Sequence, residues 1–151
     1  MFRSVKLNNT GLTVFSLVCV AAFVAVCFLA LRTGAPDTVD INGESYSLRA
    51  DSDGDIEAFI SVCGYETEGA AYDREITVPK VWNETYSEYN ELQLEQGLDL
   101  SRYKGKPARE LVYAQSGGDD YITVLVSDGR IIAAHICGGD GSDIRKLIIR
   151  E

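Results

Sequence analysis

His135 is the one histidine of the chain, and Cys137 follows it by two residues. On an extended strand, residues two apart project from one face, so imidazole and thiol would lie side by side. A thiol activated by a neighbouring base, with a third group orienting that base, is the arrangement of a nucleophilic hydrolase. Asp119 or Asp120, across a hairpin connection, offers the third group. The commoner reading of the same residues is a histidine near a strand end beside a small buried thiol. Zinc would need more ligands than one histidine and two cysteines, unless a carboxylate or water completed the shell. The acidic string from Asp51 to Glu57 opens like a calcium loop, but Ile56 stands where glycine is needed and Val62 where a bidentate glutamate is needed. The chain carries no glycine-rich phosphate loop, nucleophile elbow or helical His-Glu pair. No catalytic, cofactor or metal residue is therefore assigned, and a non-enzymatic protein is expected.

These residues belong to a chain with two unlike parts. Its 151 residues carry 14 Lys+Arg against 23 Asp+Glu, a net charge of -9. From Gly11 to Leu31, 18 of 21 residues are apolar and none is charged. With Arg3, Lys6 and Arg32 set apart, 11 basic and 23 acidic residues remain, a balance of -12. The mean hydropathy of -0.03 thus averages an apolar stub and an acidic polar domain. That composition excludes a wholly soluble protein, a multi-span channel and a protein that grips a nucleic-acid backbone.

At about 1.5 Å per residue, such a helix spans roughly 30 Å, the hydrocarbon thickness of a bilayer. The expected organisation is a cytoplasmic N-terminus over residues 1–10, a transmembrane helix over 11–31, a linker over 32–38 and an extracytoplasmic domain over 39–151. A cleaved signal peptide has a shorter apolar region of about 7–15 residues, and Thr33 and Ala35 make a weak cut site. Neither Cys19 nor Cys27 follows the small residue of a lipobox. Arg3 and Lys6 outweigh Arg32, so the N-terminus is placed inside and the domain outside. Cys19 and Cys27 then serve as small hydrophobes in lipid. Cys63 and Cys137 are the candidate disulfide pair of the outer domain, provided that their Cα atoms come within about 7 Å.

The outer domain reads as α+β. Asn42-Gly43 between two short runs predicts a hairpin with a type I′ turn. Ser52 or Asp53 should cap a helix with Ile56, Phe59, Ile60 and Cys63 on one face, ended by Gly64. Arg74–Val78 reads as a strand. A second helix is expected from about Val81 to Gln96, with Trp82, Tyr86, Tyr89 and Leu92 as an aromatic stripe packed in the core and Gly97 as cap. Asn83-Glu84-Thr85 matches a glycosylation sequon by letter only. The segment from Leu98 to Tyr103 should tuck three apolar residues under the domain. A three-strand meander follows: Ala108–Gln115, Tyr121–Ser127 and Arg130–Cys137, with Asp128-Gly129 as a two-residue turn. Counted from that turn, Val126 opposes Ile131, Val124 opposes Ala133 and Ile122 opposes His135. Both faces of the meander are apolar, so the second needs a cover, either the other helix, the early hairpin or a partner chain. Residues 142–151 fit a short helix or an edge strand.

The strings Tyr86-Ser87-Glu88-Tyr89-Asn90-Glu91-Leu92-Gln93 and Gln96-Gly97-Leu98-Asp99-Leu100-Ser101-Arg102-Tyr103-Lys104-Gly105-Lys106 resemble a domain-of-unknown-function family of small single-pass membrane proteins from gram-positive anaerobic bacteria. The resemblance covers roughly residues 55 to 140 and implies one N-terminal span carrying one outer domain. It implies no activity, ligand or catalytic residue. The chain departs from that family's pattern at Ala133-Ala134-His135, where Gly-Gly-Asp is expected. The function expected is a protein-interaction or accessory module at the cell surface, with the lipid bilayer and another surface protein as partners. The alternatives are a domain that binds a small ligand or cation between the aromatic helix and the sheet, and a Cys/His hydrolase.

Overall fold

The computed structural model describes residues 37–149, within the second of the chain's two units, which begins at Ala35. The expected N-terminus, transmembrane helix and linker up to residue 36 lie outside the described residues, as do Cys19 and Cys27. Among the described residues, no helix is long and apolar enough to cross a membrane. The architecture is α+β, two helices on antiparallel sheets.

Asn42 and Gly43 take φ of 53° and 83°, the paired left-handed conformations of a type I′ turn. They join β1 (Thr38–Ile41) to β2 (Glu44–Ser47), with Ile41 opposite Glu44. The acidic string is a helix start. Ser52 Oγ accepts from the Asp55 N–H, and the Asp55 carboxylate accepts from the Ser52 N–H at 2.9 Å, a capping box that opens α1 (Asp53–Val62). Ile56, Phe59 and Ile60 are buried as their spacing predicts.

A five-stranded sheet follows the order β3-β4-β5-β6-β7: β3 (Thr67–Thr77), β4 (Pro107–Gln115), β5 (Tyr121–Ser127), β6 (Arg130–Cys137) and β7 (Arg145–Lys146). β3 begins earlier than the expected Arg74. Gly69 sits at φ 79° and the register slips twice before Tyr72, which destroys the alternation that would have announced a strand. The tail is an edge strand rather than a helix, and Leu147 and Ile148 after it are buried.

Both sheet faces are covered by this chain. Ile122, Val124, Ala134 and Ile136 pack with residues of β1, α1 and the tail. Leu125, Ile132 and Ala133 pack with Val78, Leu100 and Tyr103.

The second helix, α2 (Glu84–Glu95), is shorter than expected, because the Asn83 side chain accepts from the Tyr86 N–H at 3.0 Å and caps it there. Trp82 therefore lies outside the helix. Tyr86 is 40% and Leu94 51% exposed, while the buried helical residues are Asn90 and Gln93. Of the aromatic stripe, Trp82 and Tyr89 pack against the second core as expected, whereas Tyr86 faces outward. α2 docks on a strand edge, where β7 pairs with only two residues of β6 and leaves the next backbone groups open. The Ala134 N–H donates to Gln93 Oε1 at 2.9 Å, and Gln96 Nε2 donates to the Ala134 carbonyl at 3.1 Å. Gln96 Oε1 accepts from the Leu147 and Ile148 N–H groups at 2.8 and 2.9 Å. Two side-chain amides thus stand in for a strand and satisfy a buried edge.

Candidate functional site

The register of the β5–β6 hairpin decides where His135 points. Asp128 and Gly129 form the expected turn with φ of 53° and 68°, and Val126 opposes Ile131. The next pair is Leu125 with Ala133, so Ile132 is an extra residue. This β-bulge corrects the straight count: Val124 faces Ala134, Ile122 faces Ile136 and Thr123 faces His135. A one-residue slip moves a side chain to the other sheet face. His135 accordingly leaves the α1 side and stands on the face of Leu125.

Tyr89 reaches that face from α2. Its hydroxyl lies 2.8 Å from His135 Nδ1, and the rings meet edge to face with centroids 5.4 Å apart at 88°. Around this pair lies a cleft of about 330 Å³. Its walls are Ile76, Val78, Pro79, Leu100, Leu125 and Ile144, and Thr85, Tyr86 and Glu110 also line it. Glu110 is ion-paired with Arg74.

Burial pushes His135 down to about 4, against a weaker opposing pull from Glu110, so the imidazole is neutral near pH 7. Burial, reinforced by the Glu110 charge, raises the Tyr89 phenol well above its ordinary value and keeps it protonated. The phenol is the natural donor to Nδ1, which leaves the ring proton on Nε2. Among the described residues, Nε2 has no hydrogen-bond partner. The cleft therefore combines apolar walls with a few polar groups, among them an Nε2–H that a ligand can use.

His135 and Cys137 do project from one face, as their spacing predicts, but no hydrogen bond joins them. Nδ1 is occupied by Tyr89 rather than a carboxylate. Asp120 is held by Arg145 at 2.7 Å. The Cys137 thiol is raised, first by burial and then by the Asp120 charge, which disfavours the thiolate. The arrangement of a Cys/His hydrolase is not assembled.

Cys63 and Cys137 are both free thiols. Cys63 packs against the α1-side core, with its thiol pushed up to about 12 by burial, whereas Cys137 opposes Tyr121 on the other face of the sheet. The candidate disulfide is absent from this structure. Trp82, expected beside the cleft, does not line it; Lys104 Nζ lies 3.9 Å from its ring centre. Glu110 is not among the candidates that the sequence offers, although an acid midway along an apolar strand is a signal. Comparison of the chain with protein-family models, curated proteins and solved structures gives no match, so the chemistry of the site rests on its geometry.

Proposed function

We propose that this chain is a single-pass protein of the bacterial cell membrane, spanning the bilayer through residues 11–31, whose outer domain binds a small apolar molecule carrying a hydrogen-bond acceptor. The cleft between α2 and the sheet is the binding site. The observation that carries this reading is His135 Nε2, unpartnered in an apolar cleft and held neutral, with its ring fixed by Tyr89. Pockets of this size and lining, with few polar groups, are the usual form of small-molecule sites. A ligand of about 15 non-hydrogen atoms gaining about 0.3 kcal/mol each would bind in the submillimolar range. The interaction-module reading loses one of its motives, because the apolar second face of the meander is covered by residues of this chain. The test is saturation-transfer NMR on the full chain in detergent with small aromatic and amide fragments. Fragments should bind the native chain and be lost from Thr85→Trp, which fills the cleft from an exposed position. Equal binding to both, or none to the native chain, ends the proposal. A C-terminal alkaline phosphatase fusion should be active and a fluorescent protein fusion dark; the reverse pattern overturns the orientation.

A further inference from the structure

The turns at residues 79–82 and 103–106 form one tip. The Val78 N–H donates to the Lys106 carbonyl at 3.0 Å, and the Gly105 N–H to the Val78 carbonyl at 2.7 Å. Gly105 takes φ 76°, and a Cβ there would fall 2.7 Å from Lys80 Cγ, so the Lys80 stem lies along the glycine. Lys104 Nζ sits over the Trp82 ring, and the indole N–H is satisfied by the Pro79 carbonyl at 2.9 Å. Between Lys80 and Trp82 in the sequence, Val81 is 87% exposed, the most exposed large apolar side chain among the described residues. Of the ten basic side chains described, eight make salt bridges to carboxylates; Lys80 and Lys104 make none.

We infer that this tip, Lys80-Val81-Trp82 with Lys104, seats on the surface of an anionic phospholipid bilayer. An exposed valine, a tryptophan whose only donor is already bonded, and two lysines without ion pairs are the composition that favours the membrane interface. The charge distribution selects this tip. The body of the domain is acidic and is repelled by an anionic surface, whereas each lysine brought close to one strengthens docking about fivefold. The inference rests on the single-pass reading. Only six residues separate Leu31 from Thr38, a reach of about 20 Å at full extension, so docking would be intramolecular and weak contacts would suffice. Pro79 belongs to this tip and also lines the cleft, so docking would bring the cleft near the lipid surface.

Trp82 is the only tryptophan in the chain and reports on the tip directly. The experiment reconstitutes the full chain into vesicles of anionic or of zwitterionic phospholipid, each with and without bromine on the acyl chains, and measures flotation and tryptophan quenching together. Lys80→Gln with Lys104→Gln, and Val81→Asp, are made in parallel. Both lysines and Val81 are at the surface, and each variant is compared with itself in unbrominated lipid, because removing Lys104 alters the indole's own emission. Quenching is expected in anionic vesicles, weaker in zwitterionic ones, and the docking equilibrium should fall roughly 30-fold when both lysines are neutralised. A chain that floats with the vesicles but is not quenched overturns the docking and leaves the anchor intact. Equal quenching in the variants also overturns it, as does equal quenching in both lipids. A chain that does not float overturns the anchor, and quenching of that chain added from solution would then support the docking alone, while no quenching overturns both.

Discussion

Gln96→Ala should be among the most damaging substitutions in the domain, although glutamine is a polar residue near the end of a helix. Gln96 is fully buried, and its one amide group serves three backbone partners in two other segments: the Ala134 carbonyl and the N–H groups of Leu147 and Ile148. Alanine preserves the helix but leaves all three groups unsatisfied in the interior. A buried backbone group stripped of its partner costs about 1–3 kcal/mol. Water entering the vacated space lowers that, so a total of roughly 3–5 kcal/mol is expected, a large share of the 5–15 kcal/mol that typically holds a domain together. At about 4 °C per kcal/mol for a domain of this size, the thermal midpoint of the chain in detergent, followed by circular dichroism, should fall by roughly 12–20 °C. Hydrogen exchange localises the effect: the amides of Leu147 and Ile148 should lose protection first, before those of α1. Leu94→Ala is the control, since Leu94 is more apolar yet 51% exposed, and it should change stability by less than about 0.5 kcal/mol beyond helix propensity. If Gln96→Ala lies within 1 kcal/mol of the native chain, or the tail amides keep their protection, the amides do not hold this edge and the account of α2 fails.

His135 should make the domain acid-sensitive in a defined window. Its folded value near 4 lies below the ordinary 6.5, so between those values the unfolded chain takes up a proton that the native chain refuses, and stability falls as pH falls. The loss is about 3 kcal/mol by pH 4; urea titrations of the native chain and His135→Phe should diverge across that window, and parallel curves would refute it. Treatment of the native chain with N-ethylmaleimide at pH 8 should modify Cys137 ahead of Cys63, whose thiol is held near 12, as read by peptide mass mapping; preferential labelling of Cys63 would contradict its packing. Ser52→Ala removes the Oγ that accepts from the Asp55 N–H and should cost about 1 kcal/mol, measured by the shift in urea midpoint.

What was legible in the sequence followed from residues whose local chemistry is decisive. Asn42-Gly43 and Asp128-Gly129 specify their turns because few other pairs tolerate two positive φ values. Ser52 with Asp55 specifies the start of α1, and the tucked Leu98, Leu100 and Tyr103 are all buried as expected. The failures share a different origin. Trp82 and Tyr89 do pack against the second core, but Asn83 caps the helix after the tryptophan, and the fully buried residues of α2, Asn90 and Gln93, are polar because they serve backbone groups, Gln93 those of a strand edge. No periodicity rule anticipates an amide standing in for a strand. Of the aromatic helix beside which a ligand site is expected, Tyr89 lines the cleft and Trp82 does not. The role of Glu110 depends on a pairing across two strands, which spacing along the chain does not encode.

The same distinction separates the neighbours that a straight count gives His135 from those it has in the fold. The count from Asp128-Gly129 was sound for its first pairs, Ser127 with Arg130 and Val126 with Ile131. One extra residue, Ile132, then inverts every side chain that follows. Without it, Ala134 would leave the α1-side core, and His135 would enter it opposite Ile122, among apolar residues and with no Tyr89 to hold Nδ1. With it, Ile132 and Ala133 both pack on the second face, Ala134 faces Val124, and the imidazole meets the phenol at the wall of the cleft. The bulge is an isoleucine among β-branched and small residues, with no glycine to mark it, so its position is set by packing rather than by local backbone preference. Two small residues, Ala133 and Ala134, follow it and are wholly buried, one against each core. A chain that must fill both faces of its sheet has reason to place such a slip beside its smallest side chains, where the change of face is least costly to pack. In this fold the cleft is therefore a product of the double-sided core: the device that reconciles the two packed faces also turns the only histidine toward it.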